Sequence, residues 1–279
     1  MAEACVVKEP WQLRLYKKSL KKKATVEAIL KFLPDPRGKK CLEIGCATGL
    51  TSYMLRQQGG EWISVDFERD HVSSARALVK ENVFLTNEKA LQFASEQFDL
   101  VVGINFLEHI EDDHRFIAEM SRVLKPEGDL VFTAPKGEKD RPGYWIKKIF
   151  GFTADTKGFG HARDGYLPEL LRRKFQSAGL QIEALDTYSR FFAEATEDVL
   201  NFAYHRKAAK KQAEPADDDF HGTTSPMSEE AFSKVSLSFR LYSLAYPFIK
   251  AFTLLDGLIP FSSGYMLVCR ATKVRSPAG

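Results

Sequence analysis

The sequence predicts an α/β protein whose mostly parallel sheet is covered by helices on both faces. Two observations lead to this prediction: short apolar runs alternate with helix-length segments, and the composition fits one large globular domain with an elaborated cap. The chain has 279 residues, of which 44% are hydrophobic and 28% charged, so a sizeable core is expected. Alternation of this kind is typical of βαβ units.

Each strand is predicted from an apolar run, and each helix from apolar residues at helical spacing. The predicted strands are Lys40–Gly45, Trp62–Asp66, Val83–Leu85, Phe98–Ile104, Asp129–Thr133, Gln181–Ala184 and Gly264–Ala271. The predicted helices of this region are Leu50–Gln58, Asp70–Lys80, Asp113–Leu124 and Leu167–Ala178. Residues 136–166 are rich in Gly, Lys and aromatic residues, which favours a long functional loop.

The same pattern divides the chain into four segments. Residues 1–37 are predicted to form one or two amphipathic helices with a basic outer face, and residues 38–187 to form the core. Residues 188–262 are interpreted as a helical insert with a mobile polar connector near 206–230. Residues 263–279 are expected to bring the last core strand and a tail.

The charge is nearly balanced overall but uneven along the chain. The formal net charge of +3 lacks the strong basic excess of nucleic-acid-binding proteins, so no nucleic acid is expected as a partner. Residues 1–40 nevertheless carry 11 Lys and Arg against 4 Asp and Glu. The basic amino-terminal helix is therefore predicted to face an anionic substrate or surface.

Cysteine spacing and hydropathy suggest a cytoplasmic protein. Cys5, Cys41, Cys46 and Cys269 match no common zinc or iron–sulfur pattern, which favours a reduced chain. The amino terminus lacks the features of a secretory signal. The most apolar stretch, Leu241–Leu255, contains Lys250 and is too short to span a bilayer. Peripheral membrane association is left open.

Residues 41–50 carry the most informative pattern, an apolar strand that ends in an acid and a glycine-spaced turn opening into a helix. Gly45 and Gly49 would let a ligand approach the backbone, which a Cβ would prevent. Glu43 would repel a pyrophosphate but attract an ammonium or sulfonium. Asp66 ends the second strand, where its carboxylate can accept hydrogen bonds from both ribose hydroxyls. Together these residues predict a nucleoside ligand with a cationic amino-acid tail.

On these residues the chain resembles the class I S-adenosylmethionine-dependent methyltransferases, over about residues 38–185 and the last strand. That family's first motif has the form acid-x-Gly-x-Gly-x-Gly, and its second strand ends in an acid. Residues 98–110 are similar to its fourth strand and following turn, and residues 122–130 to its approach to strand five. The resemblance implies a Rossmann-like three-layer α/β/α sandwich with seven mostly parallel strands, the last antiparallel.

The resemblance also implies S-adenosylmethionine as the cofactor and assigns residues to it by position. Two positions depart from the pattern, since Ala47 replaces the middle glycine and Asn87 stands where an acid usually follows strand three. The implied roles are the methionine pocket for Glu43, Gly45, Ala47 and Gly49, the ribose for Asp66, the adenine for Phe67 and for Asn87 or Glu88, and the methyl-donor end for Asn105 and Phe106.

Methyl transfer needs alignment of donor and acceptor, and a base where the acceptor must lose a proton. His161 and His109 are the candidate bases, because His109 follows strand four and His161 lies in the loop that should border the acceptor cavity. Glu108 and His109 together would make an incomplete ligand set, so no metal is predicted.

The acceptor is constrained mainly by what the turn after strand four lacks. Asn105-Phe106-Leu107-Glu108 stands where Asn-Pro-Pro-Tyr or Asp-Pro-Pro-Tyr would indicate methylation of amines on nucleic-acid bases. A small-molecule or lipid-like acceptor is therefore predicted, with oxygen preferred over nitrogen or carbon. The aromatic-rich insert before the last strand is interpreted as core packing, a lid or a membrane contact.

Two other function classes remain open at this point. A nicotinamide-dependent oxidoreductase requires Gly-x-Gly-x-x-Gly, whereas Gly45-x-Ala47-x-Gly49 has a different period and Glu43 would face the pyrophosphate. A non-catalytic cofactor-binding or scaffold protein on the same fold is suggested by the long insert and by the absence of an unambiguous base.

Overall fold

A computed structural model describes residues 9–137, 162–196, 229–234, 236–259 and 263–275. Its sheet has seven strands in the order β3-β2-β1-β4-β5-β7-β6. The strands are β1 (Lys40–Ile44), β2 (Glu61–Asp66), β3 (Val83–Leu85), β4 (Phe98–Ile104), β5 (Leu124–Pro135), β6 (Leu180–Tyr188) and β7 (Met266–Lys273). Strands β1 to β5 pair in parallel, and β7 is antiparallel to β5 and β6. The predicted fold class is confirmed.

Helices cover this sheet and precede its last strand. They are α1 (Trp11–Tyr16), α2 (Leu20–Phe32), α3 (Leu50–Arg56), α4 (Arg69–Val79), α5 (Asp113–Val123), α6 (Pro168–Ser177), α7 (Glu229–Lys234) and α8 (Ser236–Thr253), and a short 3-10 helix follows at Leu254–Leu258. The amino-terminal segment thus forms two helices. The second begins after Ser19, whose hydroxyl accepts a hydrogen bond from the Lys22 N–H at 3.2 Å.

Both faces of the sheet are buried, because successive side chains of a strand point to opposite sides. On one face Leu42 belongs to a cluster that includes Phe116 of α5. On the other face Cys41 packs in a cluster with Ile29 of α2 and Leu55 of α3. The amino-terminal helix α2 is therefore part of the core packing and covers the face opposite α5.

Two strands are longer than their apolar runs predict. Strand β5 begins at Leu124 instead of Asp129, because Leu124 already pairs with Phe98 ahead of an irregularity in the ladder. Strand β6 continues to Tyr188, since β7 pairs with it over that length. Most side chains of β6 are half-buried or exposed, so its polar residues hide the strand from a search for apolar runs.

The cap is only partly described. Helix α7 begins at Glu229, inside the segment predicted as a connector near 206–230, and the rest of that connector lies outside the described residues. Residues 138–161 of the predicted loop also lie outside them. Among the residues that the structure describes, no helix is long and apolar enough to cross a membrane.

Candidate active site

The turns after β1 and β4 meet where the order of the sheet reverses, the position at which open α/β sheets bind ligands. Gly45 has φ +84°, and a Cβ there would lie 2.6 Å from the carbonyl oxygen of Ile104. Gly49 has φ +82°, and its Cβ would lie 2.6 Å from Cα of Ala75 in α4. Glycine is therefore required at both positions to keep the turn pressed against β4 and α4.

Glu43 supports this turn from inside the sheet. Its side chain is fully buried, and the Ser64 hydroxyl on the neighbouring strand donates a hydrogen bond to Oε2 at 2.6 Å. Burial raises the pKa of Glu43 above its usual value, although Ser52 and Ser64 counteract it. The acid predicted to shape the methionine pocket thus lies inside the sheet and is shielded from solvent.

Asp66 is held at the end of β2 by four donors. The Ala47 N–H donates to Oδ2 at 2.8 Å, while Oδ1 accepts from the N–H groups of Phe67 (2.9 Å) and Glu68 (3.2 Å) and lies 2.8 Å from Nδ1 of His71. The carboxylate is almost fully buried. It links the glycine turn to α4 and is preorganised to accept further hydrogen bonds from a ligand.

His71 is a residue of this site that the sequence analysis missed. It lies in the first turns of α4, is almost fully buried and also has Nε2 at 3.7 Å from the Glu68 carboxylate. Burial lowers its pKa, but the hydrogen bond with Asp66 and the Asp66 charge outweigh burial and raise the pKa above its usual value. The available signal was an acid at a strand end followed by a histidine on the buried face of the next helix.

Two aromatic residues predicted at opposite ends of the cofactor lie against each other. The ring centroids of Phe67 and Phe106 are 5.6 Å apart, and each also packs against Phe116 of α5. Phe106 is buried and Phe67 is half-buried. The pair forms one wall between the turns that follow β2 and β4.

The segment after β3 contains a buried hydroxyl next to Asp66. Thr86 donates its backbone N–H to the Asp66 carbonyl at 2.9 Å, and its Oγ1 is buried without a hydrogen-bond partner. Asn87 and Glu88 are exposed, and Asn87 Oδ1 accepts hydrogen bonds from the N–H groups of the two residues after Glu88, at 2.9 and 3.1 Å. An unpartnered buried hydroxyl beside the glycine cradle fits a polar ligand such as S-adenosylmethionine.

A second polar cluster lies at the ends of β4, β5 and β6. Asn105 has a left-handed backbone with φ +45°, and its Oδ1 accepts a hydrogen bond from the Thr133 hydroxyl at 2.9 Å. The Tyr188 hydroxyl donates to Oγ1 of Thr25 in α2 at 3.4 Å, and the side chains of Asn105 and Thr133 are near enough to lower its pKa. Burial raises the pKa of Tyr188 to about 12 despite these hydrogen bonds.

Glu108 follows in the same turn and is the most perturbed acid of this cluster. It is almost fully buried, and its Oε2 has no hydrogen-bond partner. Burial raises the pKa of Glu108 to about 7, although the charges of Lys21 and Arg163 lower it. A buried carboxyl that titrates near neutral pH and has an unpartnered oxygen is suited to exchange a proton with a ligand.

Of the two histidines predicted as bases, His109 lies within the described residues and His161 does not. His109 is exposed and its N–H donates to the Phe106 carbonyl at 3.0 Å, which closes the turn after β4. His161 lies outside the described residues. The chain resumes at Ala162, whose N–H donates to the Glu108 carbonyl at 2.9 Å. The described end of the predicted loop therefore lies directly against the turn that carries Glu108.

An ion-pair network anchors that loop end. Arg163 donates to the Leu107 carbonyl at 2.8 Å and to the Tyr166 hydroxyl at 2.9 Å, and Tyr166 donates to the Asp113 carboxylate at 2.9 Å. Burial raises the pKa of Asp113, but hydrogen bonds from Lys174 and Tyr166 outweigh it and hold the pKa below its usual value. Among the described residues, no group of three or more His, Cys, Asp or Glu is placed to hold a metal.

Comparison with known proteins agrees with this geometry. Residues 42–132 match the family model of a methyltransferase domain. These residues run from β1 through most of β5 and include the glycine turn, Asp66 and Glu108. Residues 42–132 therefore correspond to a methyltransferase domain, in agreement with the resemblance, and S-adenosylmethionine is the cofactor that this match indicates.

Curated relatives cover parts of the chain. A mitochondrial ubiquinone biosynthesis O-methyltransferase of Bos taurus is 26% identical over 66% of this chain and 54% of its own length. A ubiquinone biosynthesis O-methyltransferase of Stutzerimonas stutzeri is 31% identical over 34% of this chain and 44% of its own length. The chain thus spans about half the length of these relatives.

Solved structures share the fold at low sequence identity. An S-adenosylmethionine-dependent methyltransferase from Mesorhizobium loti is similar with a TM-score of 0.55 at 15% identity, covering 91% of this chain and 100% of that one. The [4+2]-cyclase SpnF has a TM-score of 0.56 at 16% identity, covering 90% of this chain and 80% of its own. Since a cyclase shares the fold, the reaction must be argued from the site.

Proposed function

We propose that the protein transfers the methyl group of S-adenosylmethionine to a hydroxyl oxygen of a small, lipid-like acceptor. The observation that carries the proposal is the buried, unpartnered Glu108 carboxyl in the turn after β4, the strand that pairs in parallel with β1 and its glycine turn. The names of the curated relatives, which specify transfer to oxygen in ubiquinone biosynthesis, support the same chemistry.

On the cofactor side, the chain contributes orientation. The cradle formed by Gly45, Ala47 and Gly49 would admit the methionine part, and Asp66 would accept the ribose hydroxyls. Thr86, Phe67, and Asn87 or Glu88 would border the adenine, while Asn105 and Phe106 would border the methyl-donor end. S-adenosylmethionine supplies a methyl group on a sulfonium, so the protein has to align donor and acceptor and exclude water.

On the acceptor side, the chain contributes a proton acceptor. The ionised form of Glu108 would take the hydroxyl proton of the acceptor as the new carbon–oxygen bond forms and the carbon–sulfur bond breaks, leaving both electrons on sulfur. Tyr188 and Asn105 would hydrogen-bond the acceptor beside it. His161 and His109 remain candidates for the same proton, and Ala162 brings the segment after His161 to Glu108. A lipid-like acceptor would also favour peripheral membrane association, which the methyl transfer itself does not require.

Methyl transfer to an unfractionated pool of acceptors tests the proposal. The protein is incubated with S-adenosylmethionine labelled on the methyl group in three separate reactions. One reaction contains a cellular lipid extract, one contains total RNA, and one contains total protein. We expect label in lipid-extractable molecules that resists mild alkali, as an ether does and an ester does not. Label confined to RNA or protein, or loss of the label with alkali, would contradict it.

A Glu108→Gln variant separates the candidate bases in that assay. Because glutamine cannot accept the proton, we expect turnover to fall by about 100-fold or more while S-adenosylmethionine affinity stays unchanged. His161→Ala and His109→Ala are the matched comparisons. If either abolishes turnover while Glu108→Gln does not, the proton acceptor is that histidine and not Glu108.

A further inference from the structure

The cap exposes an apolar face that the proposed reaction does not use. Leu244, Phe248 and Phe252 recur at one-turn spacing along α8, so they share one face of the helix. Leu244 is 74% exposed and Phe248 79% exposed. The 3-10 helix that follows adds Leu254 and Leu258, at 70% and 77% exposed. We call this set, with Phe252, the apolar face; such patches mark interaction sites in soluble proteins.

The opposite side of α8 attaches it to the basic helix α2. Tyr246 is buried, and its hydroxyl lies 3.0 Å from Nζ of Lys23, which donates the hydrogen bond. The ammonium groups of Lys18 and Lys23 each lie 5.2 Å from the Tyr246 ring centroid. Cations at this distance from an aromatic ring are attracted to it. These contacts fix the orientation of α8, with Tyr246 turned towards the amino-terminal helices and the apolar face turned away from them.

The charges of α8 itself have a single sign. Between Ser236 and Leu255 the charged residues are Arg240 and Lys250, with no Asp or Glu. Both are exposed. Asp256 follows in the 3-10 helix, where its carboxylate accepts hydrogen bonds from the backbone N–H groups of Phe192 and Ala193. An apolar helix face flanked by Lys and Arg is typical of helices that lie in a membrane interface. A second copy of this chain would present the same positive charges, which repel, whereas an anionic bilayer complements them.

We propose that the apolar face of α8, flanked by Arg240 and Lys250, docks on the surface of an anionic phospholipid bilayer. The helix axis would lie parallel to the membrane plane. Leu244, Phe248 and Phe252 would enter the boundary between headgroups and acyl chains, and the long side chains of Arg240 and Lys250 would extend to the lipid phosphates.

This surface lies one helix away from the candidate acceptor site. Helix α2 contacts Tyr246 through Lys23 on one side, while Thr25 of the same helix lies 3.4 Å from the Tyr188 hydroxyl and Lys21 acts on the charge of Glu108. Docking would therefore bring the candidate acceptor site to the same membrane that holds a lipid-like acceptor, with α2 between α8 and the site. This second step rests on the proposed function, whereas docking itself does not.

Vesicle cosedimentation of the full chain tests the docking surface. The probes are phosphatidylcholine vesicles with and without phosphatidylglycerol, at low salt. We expect the wild type to bind the anionic vesicles. A Leu244→Gln/Phe248→Gln variant should bind them at least about tenfold more weakly, because two side chains no longer bury apolar surface in the bilayer. The matched control is Leu167→Gln/Leu170→Gln, since these leucines are 45% and 44% exposed on and beside α6. An Arg240→Gln/Lys250→Gln variant should lose the preference for anionic lipid.

Three outcomes would overturn the proposal. The first is equal binding of the wild type to both kinds of vesicle. The second is a loss of vesicle binding in the control variant equal to that in the Leu244→Gln/Phe248→Gln variant. The third is a Leu244→Gln/Phe248→Gln variant whose sedimentation coefficient in solution changes while its vesicle binding does not. The last result would identify the apolar face as a contact between copies of the chain. Thermal unfolding and S-adenosylmethionine titration of every variant report whether the fold and the cofactor site are intact. Failure of docking therefore leaves the proposed methyl transfer untouched.

Discussion

The cofactor side of the candidate site is built mainly by backbone turns, whereas the acceptor side is built by side chains from distant segments. Gly45, Gly49 and Asp66 lie close in sequence and are fixed by positive φ angles and backbone donors. Glu108, Tyr188 and Thr25 come from a strand turn, the end of β6 and the amino-terminal helix. Short motifs can therefore specify a donor pocket, while an acceptor pocket depends on tertiary packing.

The two sides also differ in how they treat charge. Asp66 is buried, but both of its carboxylate oxygens have hydrogen-bond partners. Glu108 is equally buried, yet one of its oxygens has no partner and its pKa is raised to about 7. Glu43 on the cofactor side also has an unpartnered oxygen and a pKa raised by burial, so the contrast is between Asp66 and Glu108 and not between all acids of the two sides. A group that moves a proton has to remain close to its pKa.

The largest expected effect is on the backbone side. Gly49→Ala places a Cβ 2.6 Å from Cα of Ala75, a backbone atom that cannot move without shifting α4. We expect S-adenosylmethionine affinity to fall by about 100-fold or more and the melting temperature to drop, because the turn and α4 separate. Calorimetric titration and thermal unfolding measure both.

Gly179→Ala is the control for backbone conformation. Gly179 has a similar φ of +73°, but no atom lies within 4 Å of its Cβ position. Both variants share the cost of a left-handed alanine, about 1 kcal/mol, so only the close approach differs. If both variants bind cofactor equally well, the cradle is not defined by close backbone approach.

An intermediate effect is expected from the charge on the acceptor side. Glu108 has its pKa raised from 4.5 to about 7 in the folded state, so the unfolded chain loses this proton at lower pH. Stability should therefore fall as the pH rises from about 4.5 to about 7, by about 3 kcal/mol in total. Glu108→Gln should remove this loss, making the variant more stable than the wild type at pH 8.

Denaturant unfolding at several pH values checks this prediction. Glu81→Gln is the matched control, because Glu81 is exposed and should leave the pH profile unchanged. A Glu108→Gln variant with the stability profile of the wild type would show that the Glu108 carboxyl is not a buried group of raised pKa. The same variant is inactive in the proposed mechanism, so stability and turnover should change in opposite directions.

The smallest effect concerns the link between Asp66 and His71. The folded pKa of His71 lies above its ordinary value, so the stability that this pair adds is fully present below pH of about 6.5 and is lost as the pH rises through the folded pKa. His71→Gln should cost roughly 1 kcal/mol at pH 5.5 and less at pH 8.5. Unfolding of His114→Gln, an exposed histidine, is the comparison. A cost independent of pH would mean that His71 only fills space.

The sequence predicted the parts of the molecule that short local patterns specify. The glycine turn, Asp66 and the seven strands follow from local spacing, and the family resemblance oriented β7. Glu108 was considered only with His109 as a metal ligand, because its burial depends on the packing of the turn after β4 and cannot be read from spacing. His71 was missed for the same reason, since only the packing of α4 against β2 brings it to Asp66.

The boundaries that the sequence misplaced have a related cause. Strand β6 is held by its ladder to β7 and has few buried side chains, so hydrophobic pattern underestimates it. The contact between α2 and α8 depends on Tyr246 and Lys23, residues separated by more than half of the chain. Contacts between residues so far apart in sequence depend on the topology of the fold, and no local motif predicts them.

Calorimetric titration with S-adenosylmethionine, S-adenosylhomocysteine and NADH tests the central claim most directly, since it asks whether the turn after β1 and the acid after β2 form a pocket for a sulfonium nucleoside. We predict that the wild type binds S-adenosylmethionine and S-adenosylhomocysteine at one site and does not bind NADH. Asp66→Ala should lose most of that affinity, because the ribose hydroxyls lose their acceptor. Binding of NADH alone, or of none of the three, would contradict the account.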